Sequence, residues 1–235
     1  MVAGSFRSEL FALAESFIER NAALEPISAT GYGIDRYDSE LPDFSLAHSG
    51  ERTEFLRASL TALSSIVPTD EIDRIGKEVM VERLTATLGL EESGETRRTF
   101  SVLSSPASAI RQVFSIQPAQ NPEHGARIGS RLAAVRAALQ SWRGALDEDS
   151  RQGLVAARRQ ALGVAHQLGT YAEGAFRGVA RRAATSCGVD ADASGLAAAA
   201  SDADRACGEL AEWLRSVYTP RAAEGDPVGA ERYGP

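Results

Sequence analysis

Asp35, Arg36, Tyr37 and Asp38 follow one another in the stretch EPISATGYGIDRYDSELPDF, which runs from Glu25 to Phe44. Two carboxylates, a guanidinium and a phenol this close together can hold a polar substrate through charge-assisted hydrogen bonds. Asp35, Arg36 and Tyr37 are therefore the candidates for one wall of a substrate pocket. The same groups also suit a hydrogen-bonded loop that ties the first two helices together, with Arg36 bridging carboxylates or carbonyls. Gly31 and Gly33 open backbone angles closed to other residues, and Pro26 and Pro42 bracket the stretch because neither suits a helix interior.

Elsewhere the chemistry is sparse. The chain holds no H-E-x-x-H pair, phosphate-cradling glycine loop, nucleophile elbow or C-x-x-C pair, so no catalytic residue is assigned. His48, His124 and His166 fall in three separate helical regions without ligand spacing, and surface or packed imidazoles are a simpler reading than a zinc site. No metal ligand is assigned. Arg158, Arg159, Arg177, Arg181 and Arg182 could bind anions, but charge on an amphipathic helix normally faces water beside its carboxylates. Cys187 and Cys207 are too few for a disulfide framework in 235 residues and read as reduced, buried thiols.

The elements that must position these groups are helical. Alanine is abundant, aromatic residues make up 6%, and an apolar fraction of 43% is ordinary for a globular protein. The net charge of -7 opposes phosphate-backbone binding, so nucleic acid is not the expected partner. The N-terminal MVAGSFRSELFALAESFIERN is broken by Arg7, Glu9, Glu15, Glu19 and Arg20, unlike a signal peptide, and no segment has the apolar length of a membrane span. A cytoplasmic address follows by default.

Leu10, Leu13, Phe17 and Leu24 recur at helical spacing and predict a first helix over 6–24 that ends at Glu25-Pro26. Leu56, Leu60, Leu63 and Val67 trace a second, closed by Pro68. Thr69, Asp70 and Glu71 open a third, with Ile72, Ile75 and Val79 on one stripe and Met80, Leu84 and Leu88 on a neighbouring one. Residues 89–98 read as an exposed loop and 99–103 as a brief extended piece. Ser105-Pro106 and Asn121-Pro122 are helix starts. The second of these leads into Ile128, Leu132, Val135, Leu139, Trp142 and Leu146, a seam suited to the internal core of a bundle or to an oligomer contact. A turn over 147–153, one long helix over 154–184 and a last helix capped by Ser194 complete the pattern. The fold class is all-α, a multi-helix bundle of long antiparallel helices with one irregular Gly/Pro loop after the first helix. Residues 1–220 form the helical domain and 221–235 a linker or the truncated start of a further half.

The order of LEPISATGYGIDRYDSELPDF, SSPASAIRQVFSIQP and GLVAARRQALGVAHQL, with GAERYGP at the end, resembles the N-terminal half of the bacterial domain of unknown function 885 family. That family is similar to zinc metallopeptidases of the helical zincin type, whose His-Glu and Pro-Gly-His-His motif lies beyond the last residue here. The resemblance thus implies zinc in a missing C-terminal half, a possible peptide substrate for the full protein, and no turnover by this chain alone. It points to a non-catalytic helical part that walls or covers a substrate channel, with the C-terminal half or partner helices as its partner. A free-standing helical protein-interaction module is the competing expectation.

Overall fold

The computed structural model describes residues 8–98 and 100–225. Helix accounts for 76% of the structure, in ten α-helices with no β-strand among the described residues. The chain is all-α, as its composition and periodicity require.

Helices α1 (Glu9–Leu24), α3 (Leu46–Ser65) and α4 (Glu71–Glu92) enclose a small core of Leu10, Leu56, Leu63, Ile66 and Leu84. Phe17 stacks on Phe55 beside it, with ring centroids 4.9 Å apart. Helices α6 (Pro106–Ile116), α7 (Pro122–Arg151), α8 (Arg158–Ala172), α9 (Ala175–Cys187) and α10 (Leu196–Trp213) supply the larger core, in which α10 packs against α7, α8 and α9. At 1.5 Å per residue the 30 residues of α7 span about 45 Å. The seam predicted from Ile128 to Leu146 is buried in this core.

Local chemistry explains the helix starts. Ser8, Ser45, Asp70, Ser105 and Asn121 each accept a backbone N–H from the residue three positions on, satisfying an amide that the helix itself leaves free. At Ser105 the Ser108 hydroxyl answers the Ser105 amide and completes a capping box. The cap of α4 is Asp70 rather than Thr69. The Thr69 hydroxyl donates instead to Asp73, 2.6 Å away.

Several boundaries differ from those expected. Pro26 begins a helix, α2 (Pro26–Gly31), because proline's missing N–H costs nothing at a first helical position. The irregular Gly/Pro segment is correspondingly shorter and contains a 3₁₀ turn over Asp35–Tyr37. The expected loop over 89–98 is largely helical. Helix α4 continues to Glu92, Gly94 turns the chain at φ 73°, and α5 (Glu95–Arg98) follows. Likewise α7 runs through the expected turn to Arg151.

The single helix expected over 154–184 is two. Gly174 at φ 127° breaks it, and with no capping side chain of its own it relies on Asp204 of α10, which accepts from the Phe176 amide at 2.8 Å. Leu162 on α8 is exposed. Ser194 does not cap α10; Gly195 occupies that position and the Ser194 hydroxyl turns back to the Asp190 carbonyl. On α4 the stripe of Ile72, Ile75 and Val79 faces outward, while Met80, Leu84 and Leu88 carry the packing.

Residues 221–223 fold back on the body, where Ala223 bridges Ala157 and accepts from the Arg158 amide at 2.6 Å. Residues 226–235 of the expected linker, GAERYGP included, lie outside the described residues. Cys187 and Cys207 are free and buried, and burial pushes the Cys207 thiol up to about 12. No helix among the described residues is long and apolar enough to cross a membrane.

Two outcomes test this packing. Leu168 is completely buried between α8 and the larger core, so Leu168→Ala should lower stability in urea unfolding by about 2–5 kcal/mol. Asp73 is buried and accepts from Ser8 at 2.6 Å and from Thr69, bonds that hold its carboxyl below the usual range. A depressed folded value stabilises above the unfolded pKa and is lost as pH falls through the folded one. Asp73→Asn should therefore be less stable than the parent at neutral pH, with the gap closing below about pH 4 in thermal melts.

Candidate functional site

Arg131 lies three residues after Ile128 and four before Val135, on the buried face of α7. Its guanidinium is fully buried and spends its donors on the Gly/Pro segment. Nε donates to the Glu40 carbonyl at 2.8 Å, Nη1 to Gln117 Oε1 at 2.9 Å, and Nη2 to the Tyr37 carbonyl at 2.8 Å and Thr30 Oγ1 at 2.9 Å. The Thr30 hydroxyl in turn donates to Asp38 Oδ1 at 2.6 Å, and Arg131 faces that carboxylate at 3.7 Å. Burial pulls Arg131 down to about 10, with Asp38 and Glu40 opposing the shift, so it stays charged at neutral pH.

This clamp decides where the sequence-predicted residues point. Asp35 lines a small pocket of about 320 Å³ with Thr30, Gly33, Asp38 and Ile116, and its carboxylate pairs with Arg127 at 3.2 Å. Arg36 turns the other way, pairs with Glu19 of α1 and lies over the Tyr37 ring, 5.1 Å from its centroid. Neither Arg36 nor Tyr37 lines this pocket or the larger cleft, so the three candidates do not converge on one ligand. Arg36 does bridge to a carboxylate on the first helix, the alternative role open to it.

The larger cavity, about 400 Å³, lies where the small core meets the large one. Its floor is Phe100 and Trp142, packed edge to face at 5.4 Å, together with Leu146. One wall is the face of α3 carrying His48, Ser49 and Arg52, and another is the first turn of α6 with Ser105 and Ser108. Charges sit in pairs at its edges. Arg52 pairs with Glu25 and lies 3.1 Å from Glu91; Arg97 of α5 meets Asp149 of α7 at 2.7 Å. Burial raises the Asp149 carboxyl, against the pull of Arg97. Asp43 is raised by burial but more than offset by hydrogen bonds from Ser45 and Ser141, so it ends below the usual carboxylate range.

Two nitrogens on α3 residues beside this cleft are shut off from it and lack a hydrogen-bond partner. His48 Nε2 is buried with no partner. Arg52 Nε is close enough to Glu91 for an ion pair but too bent for a hydrogen bond. None of the cleft's residues was singled out from the sequence as a pocket group. Arg97 and Asp149 are 52 positions apart, and only the meeting of α5 with α7 joins them.

The donor set does not fit a metal ion. Among the described residues no three His, Cys, Asp or Glu side chains are grouped to hold one, and His48, His124 and His166 stand apart on α3, α7 and α8.

The family described as bacterial protein of unknown function (DUF885) matches residues 26–234. This chain belongs to that family. No curated protein matches it. The DUF885 match takes in the Arg131 clamp, the small pocket, the larger cavity apart from Glu25, and every helix from α2 to α10.

Removing Arg131 would strand the buried Asp38 carboxylate. Arg131→Met should cost about 3–5 kcal/mol in chemical unfolding. Arg131→Lys should recover little of it, because one ammonium cannot reproduce a four-way planar fork.

Proposed function

We propose that this chain is the non-catalytic, helical substrate-binding part of a zinc-peptidase-like protein of the DUF885 family, and that the cleft between its two cores holds part of a peptide. The observation that carries this reading is the cleft itself. Its volume is in the range of small-ligand sites, and it combines an aromatic floor with hydroxyls and paired charges. The Ser49 hydroxyl suits a backbone amide, Phe100 and Trp142 suit an apolar side chain, and the rim charges suit termini. The zinc implied by the family resemblance has no ligand set among the described residues, and this reading assigns hydrolysis to residues outside them.

A second reading, a helical interaction module, is favoured by a different observation. Ile72, Ile75 and Val79 form an exposed apolar stripe on α4, with Leu90 exposed farther along the same helix. Leu103, 91% exposed at the mouth of the cleft, extends the apolar surface. Such a surface suits further helices, whether a C-terminal half or a separate partner.

Amide NMR titration of the 235-residue chain with a mixture of short peptides separates the readings. The substrate-binding reading expects shifts concentrated at His48, Ser49, Arg52 and residues 103–108. Shifts confined to α4, or none at millimolar peptide, would reject it.

A further inference from the structure

Helices α1, α3 and α4 join the rest of the molecule at one end only. Arg20 of α1 pairs with Glu51 of α3, and Arg52 of α3 with Glu25 and Glu91, so the end of α1, the start of α3 and the end of α4 lie together. The opposite ends are held to one another, where Ser8 donates to Asp73 and Lys77 to the Ile66 carbonyl. The chain crosses between these helices and the bundle at three points. Each crossing centres on one residue with non-helical angles: Glu25 (φ -124°, ψ 69°), Ser45 (φ -74°, ψ 163°) and Gly94 (φ 73°). Among the described residues no hydrogen bond or ion pair runs from α3 or α4 to any helix from α6 to α10, and their buried apolar groups keep to the small core.

We infer that α1, α3 and α4 pivot as one lobe on Glu25, Ser45 and Gly94, moving the α3 wall of the larger cavity against its floor, and that the Arg36–Glu19 ion pair sets the lobe's angle. This goes beyond the substrate-binding reading and does not depend on what the cleft holds. Three residues outside the helices absorb the change in backbone angles, as hinges do. The Phe100 and Trp142 floor and the α6 wall belong to the larger core and stay with the bundle. The 20 residues of α3 span about 30 Å, so a turn of about 6° at Ser45 carries its far end about 3 Å and the Arg52 wall about 1 Å.

Arg36 is the side chain placed to govern that turn. It precedes Tyr37, whose carbonyl Arg131 holds at 2.8 Å, so it is fixed to the bundle, while Glu19 is carried by the lobe. Arg52 on Glu25, Ser45 on Asp43 and Thr96 on Glu91 also link across, but they sit at the pivots, where they resist rotation with little leverage. Glu19 stands one and a half helical turns before Glu25, about 9 Å along α1. Both partners of the pair are half-exposed, so salt screens it.

Spin labels attached through p-acetylphenylalanine leave the buried thiols of Cys187 and Cys207 untouched. Pulsed dipolar spectroscopy of the full chain then reads the lobe's position from Ser64, at the far end of α3, to Thr185 on α9 and to Gln152 after α7, all exposed sites. In Arg36→Gln at least one of the two distances should broaden or move by about 3 Å or more. Glu19→Arg combined with Arg36→Glu should restore the parent's distances, and molar salt should move the parent but not Arg36→Gln. A control pair within the lobe, Ser64 with Glu82 on α4, should keep its distance throughout. Circular dichroism matching the parent's shows that each variant is folded. Distances unchanged in folded Arg36→Gln, a shift that the charge swap fails to restore, or a change in the control pair overturns the inference.

Discussion

A guanidinium cannot stay charged inside a helical core unless each of its faces is answered, and Arg131 is answered almost entirely by one segment of chain. Its bonds to the Tyr37 and Glu40 carbonyls and to Thr30 fix the backbone between α2 and α3 against α7, and Gln117 adds α6 to the clamp by donating to the Asp38 carbonyl at 2.8 Å. Apolar groups of the same segment, Ile27, Leu41 and Phe44, then pack on the larger core. The first helix and the two that complete the small core are thus attached to the bundle through a polar knot rather than a continuous apolar seam. Burying such a knot offers little net stability over an apolar replacement, but breaking one side of it is costly.

The cleft is a consequence of that attachment. Two cores joined by a polar knot do not merge, and the space left between α3 and the α6–α7 corner is the larger cavity. Phe44 anchors one edge, its amide donating to Ser141 of α7 at 3.0 Å, and the Arg97–Asp149 pair closes another. The Arg97–Asp149 pair at its rim therefore also helps to hold the two sides together. A ligand entering there meets preset groups, which lowers the ordering cost of binding.

Much of the bundle was legible because apolar spacing and caps are local signals. The α7 seam, the Ser105-Pro106 and Asn121-Pro122 starts and the buried thiols all follow from residue type and interval. Two of the misread boundaries share one cause. Pro26 and Gly174 each have two structural uses, and the neighbouring chain decides between them: Pro26 serves as a helix start, and Gly174 works as a break because Asp204, far along the chain on α10, caps the first turn of α9. The α4 stripes were both visible as apolar, but nothing local says which one meets α1 and α3.

The candidate site was legible only in its raw materials. Sequence marked Asp35, Arg36 and Tyr37 as dense chemistry, and the fold turned them apart because Arg131 holds their backbone while Arg127 and Glu19 take two of the side chains. Arg131 could have been noticed as a charge at a core position of the α7 period; His48 and Asp149 carried no comparable mark. By itself the sequence determined an all-helical chain, the starts of α4, α6 and α7 and the apolar face of α7, since these depend on capping chemistry and a 3.6-residue period. Tertiary structure alone decided which faces pair, where the cores fail to merge and which distant charges meet. Those are properties of helix packing, to which residues far apart in the chain contribute equally.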